Sequence, residues 1–274
     1  MKRSTNAKFP SSAQLFKFCQ RVLVERRQSK VHDQEIGAML SFNPSDCSHW
    51  KRGEKNIKSI FALEKLSSSL GVENTLILDI ASGQVNLDEA FFEYQESRRI
   101  QRIFSAIEDV EPAVILEIKR RTQKFVDQIH AECDFKTAPL YLPEVIQNFS
   151  FIKTQPAEMM DKLSRVLRVR SGQYCIQFAK GELKPQTRQS IALDLARIFF
   201  EGERARFPEL GEIDKSLVAY EEYLFVCMLL IPQSLVMEEL LRIDNRRNVI
   251  QELSGVFWAP KSLVCLQVQQ MLQL

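Results

Sequence analysis

Histidine is scarce in this chain of 274 residues: His32, His49 and His130 are the only ones, and none follows position 130. No two of them stand at the i, i+4 spacing that sets a pair of imidazoles on one helix face around a metal. The six cysteines, Cys19, Cys47, Cys133, Cys175, Cys227 and Cys265, form no C-x-x-C pair. That scatter argues against a disulfide framework and fits reduced, buried thiols. Cys175 or Cys227 as a nucleophile would need a nearby base, and no histidine is placed to serve. Glycine is sparse too, with nine residues, and neither G-x-G-x-x-G nor G-x-x-x-x-G-K occurs, so the phosphate-loop and dinucleotide motifs are lacking. The longest apolar run, Leu224 to Ile231, falls far short of the ~20 residues that span a bilayer. Met1-Lys2-Arg3-Ser4-Thr5-Asn6 is polar, and no signal-peptide core follows. These absences predict a cytoplasmic protein with no membrane association.

What is present is ordinary and globular: 45% hydrophobic and 26% charged residues. The length suggests about two domains, large enough to bury a core without disulfides or metal. Net charge is only +2 but is unevenly spread. Residues 1–87 hold thirteen Lys/Arg against eight Asp/Glu, whereas residues 88–274 hold twenty-four against twenty-seven. A basic first part on a mildly acidic body suits a phosphate-seeking module.

Residues 1–12 read as a loose polar arm. Helical spacing then predicts helices over 13–27, from Asp33 as cap to Leu40, from Asn43-Pro44 to Gly53, over 57–70 and over 74–82. Gly37 interrupts the second, at a cost of about 1 kcal/mol, which points to close helix packing. A tight turn between the second and third helices is a helix-turn-helix layout. The segments Gln34-Glu35-Ile36-Gly37-Ala38-Met39-Leu40, Cys47-Ser48-His49-Trp50-Lys51-Arg52-Gly53-Glu54 and Leu66 to Val72 resemble the Xre, or lambda-repressor-like, DNA-binding domain. The likeness departs at Ser41, where that family commonly has glycine, at Cys47, where a branched aliphatic is usual, and at Lys51, where an acid is common. It implies that the helix opening at Pro44 enters the major groove of double-stranded DNA. Ser45, Asp46, Ser48 and His49 would then reach base edges next to the cap Asn43, and Lys51, Arg52 and Lys55 would meet phosphates. Trp50 is expected in the domain core. The alternative for these helices is a small module that binds protein.

Residues 83–112 read as a connector containing one long helix over 87–107. Its apolar seam leaves open a coiled coil or docking on the second domain. Beyond it we expect helices over 112–133 and 143–149 and strands near 151–153 and 172–178, with 157–167 ambiguous. Helices follow over 190–200, 217–230, 234–241, 249–253 and 261–272. The order of a helix and proline loop (Phe125 to Phe149), a strand (Tyr174 to Phe178), Arg188 before a helix, the segment Glu221 to Pro232 and the tail Val249 to Leu272 resembles the ImmA/IrrE metallopeptidases. Their segment R-x-x-x-A-H-E-x-x-H, aligned on Arg188 and Ala192, puts Leu193 and Arg197 where the two zinc-binding histidines stand and Asp194 where the glutamate base stands. Glu221 matches the third ligand. Leucine offers no donor atom and arginine repels a cation, so the resemblance implies a peptidase scaffold without metal, cofactor or catalytic residues. Arg197 is expected to stand in for the metal by pairing with Glu221, Asp194 or both; the alternative has Arg197 and Asp194 facing solvent. The cleft would either hold a peptide or small ligand or be filled by Phe199 or Phe200.

The fold class expected is therefore mainly α with a small β-sheet (α+β): a five-helix lambda-repressor-like domain over 13–82, a connector over 83–112 and a zincin-like ImmA/IrrE domain over 113–274. The function expected is a homodimeric transcriptional regulator whose second domain senses a ligand, dimerises or binds a partner. The alternatives are an antitoxin or phage-type control protein that sequesters a partner, and, behind both, an active metallopeptidase.

Overall fold

The computed structural model describes residues 7–159, 162–170, 172–181, 183–244 and 247–272. Among the described residues the chain is mainly helical with one small sheet, an α+β composition, and it divides into two compact units, residues 1–98 and 99–274.

The first unit holds α1 (Pro10–Arg27), α2 (Asp33–Ala38), α3 (Pro44–Lys51), α4 (Ile60–Leu70), α5 (Asn74–Ser82) and the first half of α6 (Leu87–Ser105). α1 begins at Pro10, inside the stretch expected to be a loose arm. Proline is pre-organised for a first turn, and Ser12 is buried with both its oxygens engaged. Its hydroxyl accepts from the Ile57 N–H at 2.9 Å and its carbonyl accepts from Trp50 Nε1 at 2.8 Å. Trp50 is fully buried, edge-on to Phe16 and Phe42 with ring centroids 5.1 and 5.9 Å away. α2 is capped at His32 rather than Asp33: the His32 N–H donates to the Glu35 carboxylate at 2.9 Å. α2 ends at Ala38 and not at Leu40, so Gly37 is its penultimate residue; it sits against α3 so closely that an added Cβ would lie 2.8 Å from Cys47 Cβ, which agrees with the close packing expected there.

The turn from α2 to α3 needs a left-handed residue, and Ser41 supplies it at φ 58°. A non-glycine residue there costs about 1 kcal/mol. Ser41→Gly is accordingly expected to stabilise the first unit by about 1 kcal/mol in urea unfolding, less whatever the Lys65–Ser41 hydrogen bond at 3.1 Å contributes. A destabilised variant would show that this bond outweighs the backbone cost.

The second unit opens with the rest of α6, then α7 (Pro112–Glu132), α8 (Leu142–Gln147), β1 (Ile152–Ala157), β2 (Ser164–Arg170) and β3 (Gln173–Ala179). The strand order is β1-β3-β2, with β1 parallel and β2 antiparallel to β3. β2 lies within and beyond the stretch read as ambiguous. It is an edge strand whose Arg165, Leu167, Arg168, Val169 and Arg170 are all exposed, so its sequence shows no clean apolar alternation. α9 (Pro185–Arg197) packs on the sheet and runs on as a single π-turn, Ile198–Gly202. Short 3-10 turns lead to α10 (Val218–Leu230), α11 (Gln233–Arg242), α12 (Val249–Phe257) and α13 (Lys261–Leu272).

α10 is the centre of this unit and is buried on nearly every side. A helix enclosed all round takes whatever it carries into the core, and α10 carries Glu221 and Glu222 there. Beside it lies a phenylalanine cluster in which Phe199 stands 5.5 Å from Phe125, 4.7 Å from Phe149, 5.1 Å from Phe207 and 5.7 Å from Phe225. The second half of α6 contributes Ile100, Ile103 and Phe104 to the apolar packing of this unit, and its first half contributes Ala90 and Tyr94 to the core of the other. Among the described residues no single helix is long and apolar enough to cross a membrane.

Candidate functional site

In the first unit α3 is held by its inner face, where Cys47 and Trp50 are buried. The Asn43 side chain accepts from the Asp46 N–H at 2.8 Å, which fixes the start of the helix. Ser45, Ser48 and His49 are exposed, and their i, i+3 and i, i+4 spacing brings them to one outward stripe. The remaining residues expected to meet DNA are engaged within the unit. Lys51 pairs with Asp33 at 2.6 Å, Arg52 with Glu54 at 3.0 Å and Lys55 with Asp46 at 2.8 Å. His49 Nδ1 lies 2.5 Å from Glu54, and the hydrogen bond from His49 is the first cause holding the Glu54 carboxyl below its ordinary range. Sequence spacing could not show the Lys51 partner, because Asp33 reaches α3 from another helix.

In the second unit, of the residues aligned with a zinc site only Asp194 and Arg197 bond one another. Arg188 is buried and donates to three backbone carbonyls: Leu140 at 2.7 Å, Phe257 at 2.8 Å and Trp258 at 2.5 Å. It ties α9 to the end of α12 and to the loop before α8, and burial pulls its pKa down to about 10. Leu193 is buried in the core. Asp194 accepts from the Ser164 hydroxyl at 2.6 Å and from Arg197 Nη1 at 3.0 Å; burial raises its pKa, and the Ser164 bond and Arg197 oppose the rise. Arg197 thus takes the Asp194 half of the expectation.

The Arg197–Glu221 pair is not formed. Glu221, with no exposed surface, is instead clamped by two other arginines. Arg204 meets it in a bidentate fork, Nη1 to Oε2 at 2.7 Å and Nη2 to Oε1 at 3.0 Å. Arg121 Nε donates to Oε1 at 3.1 Å, with Nη2 3.0 Å from the same oxygen but poorly angled for a hydrogen bond. The arginines are themselves braced: Arg204 Nε donates to the Gly211 carbonyl at 2.7 Å and Arg121 Nη1 to the Glu212 carbonyl at 2.8 Å. Arg197 is 40% exposed at its side chain and spends its reach on Asp194, three residues back on its own helix.

A zinc ion does not fit these residues. Leu193 has no donor atom, and both Glu221 oxygens are occupied by guanidinium groups. Among the described residues no group of three His, Cys, Asp or Glu side chains is disposed to hold a metal ion.

Sequence reading missed Glu222, the most perturbed acid of this region. It is buried, its Oε1 finds no hydrogen-bond partner among the described residues, and its pKa is pushed up to about 7. Burial is the first cause and the Glu201 carboxylate the second, with Arg197 and Arg99 opposing them and Glu221 adding to the rise. Two consecutive glutamates on an otherwise apolar helix were the available signal, since only a helix exposed along one face could have kept both in water. Phe199 and Phe200, expected as possible fillers of a cleft, are packed in the phenylalanine cluster. No protein-family model matches the chain, and neither a curated protein nor a solved structure does.

Proposed function

We propose that the chain is a DNA-binding transcriptional regulator, acting as a homodimer, in which the first unit reads double-stranded DNA and the second is a non-catalytic sensing or partner-binding module. The observation that carries the reading is the attitude of α3. Cys47 and Trp50 anchor it while Ser45 in its capped first turn and Ser48 and His49 a turn further on face outward. A helix presented in this way places short polar side chains where base edges of a major groove would lie. The nearby cations then have a double duty. Lys51, Arg52 and Lys55 would exchange Asp33, Glu54 and Asp46 for phosphate oxygens on binding. That exchange reduces the net electrostatic gain, so affinity would rest more on base contacts than the count of cations suggests.

The non-catalytic assignment of the second unit rests on Leu193, which offers no donor atom, on Glu221, whose two oxygens are held by guanidinium groups, and on Asp194, which is engaged by Ser164 and Arg197.

The test is selection of bound fragments from a random double-stranded DNA pool by the full-length protein and by a Ser45→Ala/His49→Ala variant. The expected result is an enriched motif for the parent and only weak, salt-sensitive binding without motif for the variant. Equal enrichment by both proteins would refute the residue assignment, and no enrichment by the parent would refute DNA reading.

A further inference from the structure

On the second unit a groove of about 410 Å³ opens between α7 and the segment that leads into α10. Its floor is apolar, made by Ile118 and Leu217, and its walls are Val114 and Ile213. Arg121 reaches its inner end, where it and Arg204 share the one Glu221 carboxylate and leave a net positive charge, so the cation of a ligand would sit at the rim and its apolar body inside. The rim is acidic: Glu117, Glu212 and Asp214 all line it. Asp214 is kept ionised by the Ser216 N–H and hydroxyl, each 2.8 Å from its Oδ1. Glu117 shares its charge with Arg120 at 2.7 Å, whereas Glu212 has an exposed side chain. An apolar trough with carboxylates at its mouth complements one chemistry, an apolar body ending in a cation. The volume falls in the range of small-molecule sites, at the lower end of the roughly 300–1,000 Å³ typical of them.

We propose that this groove binds a small organic amine with an aromatic or aliphatic body. The position gives such binding a consequence. Ile118 and Leu217 of the groove belong, with Tyr220 and Leu224, to the buried cluster on which Ile103, Phe104, Ile107 and Val110 pack, as Ile213 does from the groove side. An amine lodged there presses on the seat of the second half of α6, the helix that continues into the first unit. A ligand that binds one arrangement of that seat better than another shifts the population between them. This second step deepens the sensing role proposed above and rests on it; occupancy of the groove by an amine does not.

Calorimetric titration of the full chain with 4-phenylbutylamine, 4-phenylbutanol and 4-phenylbutyrate separates the contributions. The amine is expected to bind tightest and the acid weakest. Glu212→Gln/Asp214→Asn should weaken the amine about fivefold, as for a partly exposed ion pair, and leave the alcohol unchanged. Val114→Trp, at a position 40% exposed and so harmless to the core, should abolish binding of both. Equal affinity for amine and alcohol, or binding that survives Val114→Trp, would overturn the proposal. So would binding only of an amphipathic leucine–lysine peptide, which would make the groove a protein dock. DNA affinity measured with and without saturating amine then tests the link. If the amine binds and DNA affinity is unchanged, the groove stands and the sensing role fails.

Discussion

Glu222→Gln is expected to stabilise the second unit at pH 8 by up to about 3 kcal/mol and to do almost nothing at pH 4. The folded-state pKa is about 7, against an ordinary value of 4.5, and each unit of difference corresponds to about 1.4 kcal/mol. A carboxyl whose pKa is raised by folding is neutral in both states below about pH 4.5, where it adds no penalty. As pH rises through 7 the unfolded chain has already released the proton and the folded chain must either keep it or bury a charge, so stability falls. Glutamine keeps the shape and the neutrality without that penalty. The measurement is a series of thermal midpoints from pH 4 to 9. For a unit of this size 1 kcal/mol moves the midpoint by about 2–4 °C, so a gain of about 6 °C or more at pH 8 is within reach. Asp194, whose pKa burial also raises, adds to the parent's loss of stability with pH and is left intact in the variant. A Glu222→Gln effect of equal size at every pH would mean that folding does not raise the pKa of this carboxyl.

Removing the neighbouring acid should act in the opposite sense. Glu221→Ala is expected to destabilise the second unit by about 3–5 kcal/mol in urea unfolding at pH 7, the usual cost of stranding buried charge. Two guanidinium groups lose their counter-ion at once, and side chains only 10% and 18% exposed offer water little access to Arg121 and Arg204. The clamp also joins α7, α10 and the 204–212 segment, so local loosening should accompany the loss and appear as faster amide exchange around Leu210. Adding Arg204→Met to Glu221→Ala should recover part of the stability, because it withdraws one of the stranded charges. A loss below about 1 kcal/mol for the single variant would show that water or rearrangement satisfies both arginines.

The fate of Glu221 marks what the sequence could and could not disclose. Local features were legible: the Asn43-Pro44 start of α3, the tight approach implied by Gly37, the burial of Trp50 and the positions of most helices. Each is announced by a residue type whose usual place is known before its partners are: a capping Asn-Pro, a glycine inside a helical pattern, a large aromatic ring. The partners of Glu221 were not legible, because Arg121 lies a hundred positions away and Arg204 seventeen. Alignment with the peptidase motif pointed to Arg197, but Arg197 meets Asp194, three residues back on its own helix. β2 escaped for a related reason. Its exposed residues leave no alternation to read, and its strand character is imposed by pairing with β3, which follows it in the chain.

The arginine spacing on β2 also bears on how copies of this chain behave at high concentration. Among the described residues no strand lies beyond β2, so its outer row of backbone donors and acceptors is open to any extended segment. Leu167 and Val169, 39% and 62% exposed, would make that row adhesive. Arg165, Arg168 and Arg170 oppose this by repelling a second β2 edge, which would have to approach to about 4.8 Å to pair. The Debye length is about 10 Å at 0.1 M salt and about 3 Å at 1 M, so the repulsion acts across the pairing distance in dilute buffer and is largely screened in concentrated salt. The colloidal stability of the protein is in this respect electrostatic, and solutions of low ionic strength protect it.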